Sequence, residues 1–324
     1  MCYNVRIVSE KRKIGMKSKI KIIGPLMLLL TALLWGIAFV AQSVGTEQAG
    51  PLTFNGVRTI IGAFSVLPVA LFFRRQNEKK LTVPKTKDEK KQDNKLLLKA
   101  GFMCGIVLFV ATNLQNKAFE YTDAGKIAFI TSLYILFVPV FGLLFLRKKV
   151  RAILWPCFAV GLIGMFLLCM GEATQGINAG DMLTFACSVV FAIHILVVDK
   201  YVDRVDPVMM SCIQFFVAGV LTMICAFIFE EPSLEGIRAC LGAILYAGIC
   251  SSGIAYTLQI VGQKYTEATV ATLLLSMESV FGVISSAIVL HETMTAREVV
   301  GCVLMFIAII VSQLPERKKQ VAKV

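Results

Sequence analysis

The side chains able to do chemistry are few and widely spaced. Glu278 stands within the apolar run Leu273-Leu274-Leu275-Ser276-Met277-Glu278-Ser279-Val280, where a polar group is costly and should face protein or water. A carboxyl there can carry a proton or receive a substrate ammonium, or it can serve as a hydrogen-bonded tie to a neighbouring helix. His194 is one of two histidines, and an imidazole with an ordinary pKa of about 6.5 suits proton handling. A neutral imidazole packed in the core is the plainer expectation for it. Arg58 could receive an anionic solute, but the default expected of it is snorkelling to the outer interface or pairing with a loop carboxylate such as Glu47. Trp35 and Tyr134 offer flat faces for a solute or a cation. Gln115 and Gln259, with Asn113 and Tyr256 close by, can hydrogen-bond a polar solute or tie helices together. The expected solute-binding set is Trp35, Asn113, Tyr134, His194, Tyr256 and Glu278. Glu278 and His194 are the proton-coupling pair, and Gln115, Gln259 and Arg58 form a gate or scaffold.

Other chemistry finds no pattern to use. The chain has no phosphate-binding glycine loop for ATP-driven pumping and no HExxH or GxSxG motif, and its two histidines lie too far apart for metal-ligand spacing. No catalytic residue, metal or cofactor is expected, and the chain does not read as an enzyme. Ten cysteines are present without any CxxC spacing. Nine of them (Cys104, Cys157, Cys169, Cys187, Cys212, Cys225, Cys240, Cys250 and Cys302) fall in or beside apolar runs and read as small apolar fillers.

These residues must be positioned by elements built for lipid. Of 324 residues, 57% are hydrophobic and 17% charged, with a mean hydropathy of +0.75, against roughly 25% charged in a soluble domain. That balance excludes a cytosolic enzyme, a nucleic-acid-binding module and a disordered chain. The apolar residues fall in ten runs: 23–43, 53–73, 96–116, 124–146, 150–170, 181–199, 207–229, 237–260, 267–290 and 296–314. Most approach the twenty residues needed to cross about 30 Å of hydrocarbon. Backbone in lipid must satisfy its own hydrogen bonds, and none of the runs alternates in polarity as barrel strands do, so each run predicts a helix.

Charge orients them. With the N-terminus inside, residues 1–22, 74–95, 147–151, 199–206, 261–266 and the tail after 314 hold 27 Lys and Arg, and the opposite loops hold only Lys117, Lys126, Arg238 and Arg297. Cytoplasmic loops are the basic ones, so both termini are expected in the cytoplasm, with the protein multi-pass in the inner, or cell, membrane. The net charge of +12 then reflects orientation and attraction to anionic lipid headgroups; no nucleic-acid partner is needed. Residues 1–22 read as a basic cytosolic extension without a cleaved signal peptide, with Met1 or Met16 as the start. Arg74–Lys95 reads as a solvated, flexible loop, and 315–324 as a basic tail.

The chain also repeats itself. Residues 111–124, ATNLQNKAFEYTDA, align without gaps to residues 255–268, AYTLQIVGQKYTEA, with six of fourteen positions identical. The same offset pairs Ser132 with Ser276 and Tyr134 with Glu278. A second, weaker offset pairs Gly50-Pro51 with Asp206-Pro207, Trp35 with Phe191 and Arg58 with Gln214. Two repeats, 23–170 and 171–314, would each hold five spans. Five is odd, so the halves must face opposite ways, the arrangement that suits a central site opened alternately to each side.

Leu33-Leu34-Trp35-Gly36, Arg58, the repeated Leu-Gln…Tyr-Thr-x-Ala, Pro139 and Leu290-His291-Glu292 together resemble the EamA-like branch of the drug/metabolite transporter superfamily, over about residues 23–314. The resemblance implies an all-α membrane protein of ten helices in two inverted five-helix repeats, moving small organic solutes with proton or counter-substrate coupling. Arg147-Lys148 replaces a usual Gly-Glu, and Glu278 is followed by Ser279 where the family often has Glu-Pro, which leaves a helix kink at that point open. The expected function is secondary active transport, more in export than uptake, of an amino acid or related cationic metabolite, with a homodimer as the expected assembly. A nucleotide-sugar-like exchanger is the alternative within transport, although it would be expected to carry more basic residues at membrane depth than Arg58 alone. A membrane enzyme or sensor is a third reading, for which the chain offers neither a catalytic constellation nor a loop large enough to be a signalling domain.

Overall fold

The computed structural model describes residues 2–79, 86–122, 124–147, 150–169, 177–290, 295–312 and 314. All regular structure among them is helical. In order they are α1 (Cys2–Ala49), α2 (Pro51–Lys79), α3 (Lys87–Ala118), α4 (Ala124–Thr131), α5 (Tyr134–Leu146), α6 (Leu154–Cys169), α7 (Ala179–Tyr201) and α8 (Pro207–Phe229). They continue as α9 (Leu234–Ala239), α10 (Leu241–Leu245), a π-helix π1 (Tyr246–Ala255), α11 (Tyr256–Gln263), α12 (Ala268–Leu275), α13 (Met277–Leu290) and α14 (Ala296–Ser312).

Among the described residues, seven stretches are long and apolar enough to cross a bilayer: Ile22–Ala49, Pro51–Gln76, Lys87–Ala118, Gly125–Phe145, Ala179–Tyr201, Pro207–Phe229 and Leu241–Gln263. The expected runs 150–170 and 267–290 contain the shorter apolar helices Leu154–Leu168 and Ala268–Gly282, and 296–314 holds the 17-residue α14. Their outward faces stay apolar, as lipid contact demands: Phe64, Phe72, Leu144, Phe145, Phe227 and Ile310 are all exposed.

Local chemistry sets where the helices begin. Gly50, at φ 82°, takes the left-handed conformation that ends α1, and Pro51 then starts α2 where its missing N–H costs nothing. The Glu230 carboxylate, just past α8, accepts from the N–H groups of Leu52 and Thr53 at 2.8 Å each and so caps α2 from a different helix. Asp206 caps α8 by accepting from Met209 N–H, ahead of Pro207. Arg74–Lys95 is not wholly a loop: α2 runs to Lys79 and α3 begins at Lys87, held by a Thr86–Glu89 capping box. Lys, Glu and Gln are good helix formers, and the cap outweighs the solvation that the charge pattern suggested. Residues 80–85 lie outside the described ones.

Two helices are broken where the repeat pairs its serines. Between α4 and α5, Ile135 N–H donates to Ser132 C=O and Leu136 N–H to Leu133 C=O, one residue short of α-helical spacing. Between α12 and α13, Ser279 N–H donates to Ser276 C=O, and Ser276 Oγ donates to Leu273 C=O at 2.8 Å. No proline stands beside Glu278, yet α12 ends just before it. A serine bonding back onto its own helix competes with the regular ladder and favours a break there.

Packing is dense at the centre. α2 lies along α8, α6 along α14, α3 against both α7 and α8, and α4 and α5 against α7. α1 lies against α13, α12, π1 and α11, and α2 also packs on π1. Small residues permit the closest crossings. A Cβ on Gly36 would stand 2.6 Å from Glu278 C=O, and one on Gly164 would stand 2.7 Å from Gly301 C=O. Gly101 and Gly105 seat α3 on Ile213 and Val217 of α8. The eight cysteines described with their side chains are free thiols, six of them buried.

Candidate functional site

The broken helices bring Tyr134 and Glu278 to the start of α5 and α13. These two are repeat mates, and they touch: Tyr134 Oη donates to Glu278 Oε1 at 3.5 Å, with the residues only 3% and 5% exposed. Around them lies an internal cavity walled by α1, α2, α3, α4, α5, α7, π1, α11, α12 and α13. Its volume is about 30 Å³, which is room for about two waters. In this conformation the space is narrow around its polar groups.

Aromatic rings form one wall. The Trp35 and Tyr256 rings meet edge to face with centroids 4.6 Å apart, a favoured arrangement. Trp35 Nε1 donates to Ser251 C=O at 3.3 Å and Tyr246 Oη donates to Leu34 C=O at 3.1 Å, and Thr31 Oγ1 donates to Ala255 C=O at 3.0 Å. Three side-chain bonds therefore fix π1 to α1. Phe191, the mate of Trp35, and Phe39 also line the space.

The expected site residues divide. Trp35, Tyr134, Tyr256, Glu278, Gln115, Gln259 and Arg58 all line the cavity. Asn113 and His194 do not. Asn113 is tied between helices, its Nδ2 donating to Thr222 Oγ1 and Phe109 C=O and its Oδ1 accepting from Asn55. His194 is fully buried, 3.1 Å from Gln214 Oε1 through Nε2, with its ring 6.3 Å from that of Tyr256. It reaches Glu278 through no direct contact.

Arg58 departs furthest from expectation. It neither snorkels nor pairs with Glu47: it is 3% exposed, donates from Nε to Asn55 Oδ1 at 3.0 Å, and lies 5.7 Å from the Phe54 ring. The reason is geometric. α2 is buried between α8 and π1 at this depth, so its third turn faces protein and not lipid.

Gln42 and Ser251 also line the cavity, and the sequence reading passed over both. Gln42 is an amide in an otherwise apolar stretch of α1, which was a usable signal. Ser251 contributes through its backbone, and nothing in its type announces that. The Oε1 atoms of Gln42 and Gln259 are buried with no protein donor. An unpaired buried acceptor costs about 1–3 kcal/mol, so both are set to accept from water or a bound N–H. Gln115 Nε2 instead donates to Thr131 Oγ1 at 3.3 Å.

Comparison with known proteins gives a consistent picture. Residues 22–170 and 178–313 match the EamA-like transporter family. The chain is 26% identical over 316 residues to an uncharacterized transporter of Archaeoglobus fulgidus, covering 96% of this chain and 92% of that one. It is 24% identical to the uncharacterized transporter YoaV of Bacillus subtilis, over 91% of this chain and 98% of that one. It is 28% identical to the uncharacterized inner membrane transporter YedA of Escherichia coli K12, over 64% of each. A crystal structure of a protein 17% identical in sequence superposes with a TM-score of 0.73, covering 90% of this chain and 98% of that one; it shares the fold.

Proposed function

The chain belongs to the EamA-like transporter family, and from that premise we propose that it is a secondary transporter of a small organic solute, an amino acid or a related cationic metabolite, exported across the cytoplasmic membrane. One observation carries this reading: the Tyr134–Glu278 contact at the heart of a narrow polar cavity, where two broken helices meet. Discontinuous helices supply sites in transporters because their free ends and unwound backbone can face a solute.

Ten spans in two inverted halves are part of the proposal, and the helix pairings support it. Most pairings between the halves have a counterpart with the halves exchanged. The contacts of α3 with α7 correspond to those of α1 with π1 and α11, and the contacts of α3 with α8 to those of α2 with π1. Likewise, α4 and α5 on α7 correspond to α12 and α13 on α1. The α2–α8 and α6–α14 pairs are their own counterparts, which is what a two-fold relation between halves requires.

In this reading Glu278 carries the coupling proton. Its carboxyl is the acid in the cavity, and Tyr134 can donate to it when it is ionised. The aromatic wall of Trp35, Tyr256, Phe39 and Phe191 takes the apolar part of the solute, and the free acceptors of Gln42 and Gln259 take its N–H groups. The test is flux in proteoliposomes with a labelled metabolite panel. Glu278→Gln should abolish flux driven by a pH gradient and keep solute exchange. Full proton-driven flux in this variant would remove Glu278 from coupling, and no flux of any solute in the wild type would remove the carrier reading.

A further inference from the structure

The cavity holds a buried cation that the transport reading does not use. Arg58 is 3% exposed, and no carboxylate lies within ion-pair distance of it among the described residues. Its Nε is occupied by Asn55, and no hydrogen bond among the described residues holds Nη1 or Nη2, which leaves the outer edge of the guanidinium available in the cavity that Arg58 lines. A buried charge without a partner is expensive, and the fold takes trouble to keep it there.

That trouble is a chain of bonds with one direction. Nε of Arg58 is only a donor, so Asn55 must present Oδ1 to it. Asn55 Nδ2 is thereby turned to Asn113 Oδ1 at 2.9 Å and Thr112 Oγ1 at 3.0 Å. Asn113 Nδ2 is turned in the same way to Thr222 Oγ1 at 2.8 Å. The chain runs from α2 through α3 to α8, entirely inside the protein. It fixes the guanidinium plane without neutralising it. A fork of fixed orientation, charged and facing a cavity, has the geometry for two parallel bonds to a carboxylate.

We propose that the Nη edge of Arg58 is an anion-receiving subsite of the cavity, oriented by Asn55 through Asn113 and Thr222, and that it takes the carboxylate end of the solute. This deepens the carrier reading and rests on it for the word solute. Together with Glu278 it gives the cavity a cationic and an anionic pole. The solute class it selects bears an amine and a carboxylate on one short skeleton; amines alone leave Arg58 unpaired.

The test needs no knowledge of the solute. The chain has two tryptophans, and Trp155 is 41% exposed on the outer surface. Trp155→Phe therefore leaves Trp35 as the reporter inside the cavity. Detergent-purified full-length protein in this background is titrated with propionate, with propionamide as the neutral isostere and chloride as the inorganic anion. Propionate should change Trp35 emission saturably, and propionamide and chloride should not. Arg58→Gln should weaken the response at least tenfold, and Arg58→Lys severalfold, because a lysine keeps the charge and loses the fork. Asn55→Asp keeps Arg58 but gives it an internal carboxylate, and it should also weaken propionate at least tenfold. Should Arg58→Gln fail to fold, judged by its melting curve, Asn55→Asp and Arg58→Lys decide. An unchanged propionate response in Asn55→Asp, equal responses to propionate and propionamide, or full substitution by chloride would each overturn the subsite. Carboxylate binding without flux would keep the subsite and reject the carrier, and flux of amines indifferent to Arg58 would do the reverse.

Discussion

At the scale of single residues, each cavity side chain has a contact that states its cost. Trp35 buries a large ring against Tyr256 and spends its one N–H on Ser251 C=O. Trp35→Phe keeps a ring and loses that bond, so thermal unfolding should show a loss of about 1 kcal/mol, with solute affinity falling severalfold. Trp35→Ala adds an unfilled space and should cost about 3–5 kcal/mol. Equal stability of the two variants would mean that Trp35 is not packed as described. The residue types Glu, Arg, Trp, Tyr and Gln could be picked from the sequence because each is conspicuous in an apolar run. Their separation into cavity-lining and helix-tying groups could not. Asn113 and Gln115 are two residues apart on one helix, and a two-residue step turns the side chain by roughly 200°. Which of them meets the cavity depends on how α3 is rotated against its neighbours.

At the scale of elements, close crossings and breaks decide where the polar groups stand. Gly36 sits where α1 crosses α13, beside the carbonyl of Glu278 itself. Gly36→Val would force the two helices apart at the cavity wall. The expected cost is about 1–3 kcal/mol from overpacking, with a drop in transport rate larger than the drop in stability would explain. A Gly36→Val protein as stable and as active as wild type would show that the crossing is looser. The helical runs could be read from apolar length, and their starts from Gly50-Pro51 and Asp206-Pro207. The break at Ser276 could not, since serine occurs freely in continuous helices. It becomes a break only because tertiary packing holds the turn tight. The π-helix π1 is of the same kind: its first-half counterpart on α3 is regular, and the bonds from Trp35, Thr31 and Tyr246 that fix π1 to α1 come from distant sequence.

At the scale of the molecule, two ion pairs hold the first turns of the broken helices. Lys126, on α4, meets Asp181, at the start of α7, at 3.3 Å, and Thr122 Oγ1 donates to the same carboxylate. Arg151 approaches Glu267, just before α12, at 3.8 Å and donates to Ser312 C=O and Leu314 C=O at the end of α14. The first pair is largely buried, with side chains 12% and 10% exposed, and the second is open, with Glu267 at 69%. Breaking one partner of a buried pair costs more than breaking an exposed one. Asp181→Asn should therefore raise the accessibility of a cysteine placed at Gln115 to a water-soluble thiol reagent several-fold, and Glu267→Gln should change it little. Equal effects would mean that the burial of the Lys126–Asp181 pair gives it no special hold on the cavity. The sequence by itself determined an all-helical membrane protein and most of the polar and aromatic side chains that line the cavity, because lipid forces apolar length and makes every buried polar residue stand out. It also carried the repeat. Only the tertiary structure decided that Tyr134 meets Glu278, that Arg58 turns inward and that His194 and Asn113 stand back from the cavity. Those outcomes depend on helix rotation and crossing, which the close packing of distant segments fixes and no local pattern encodes.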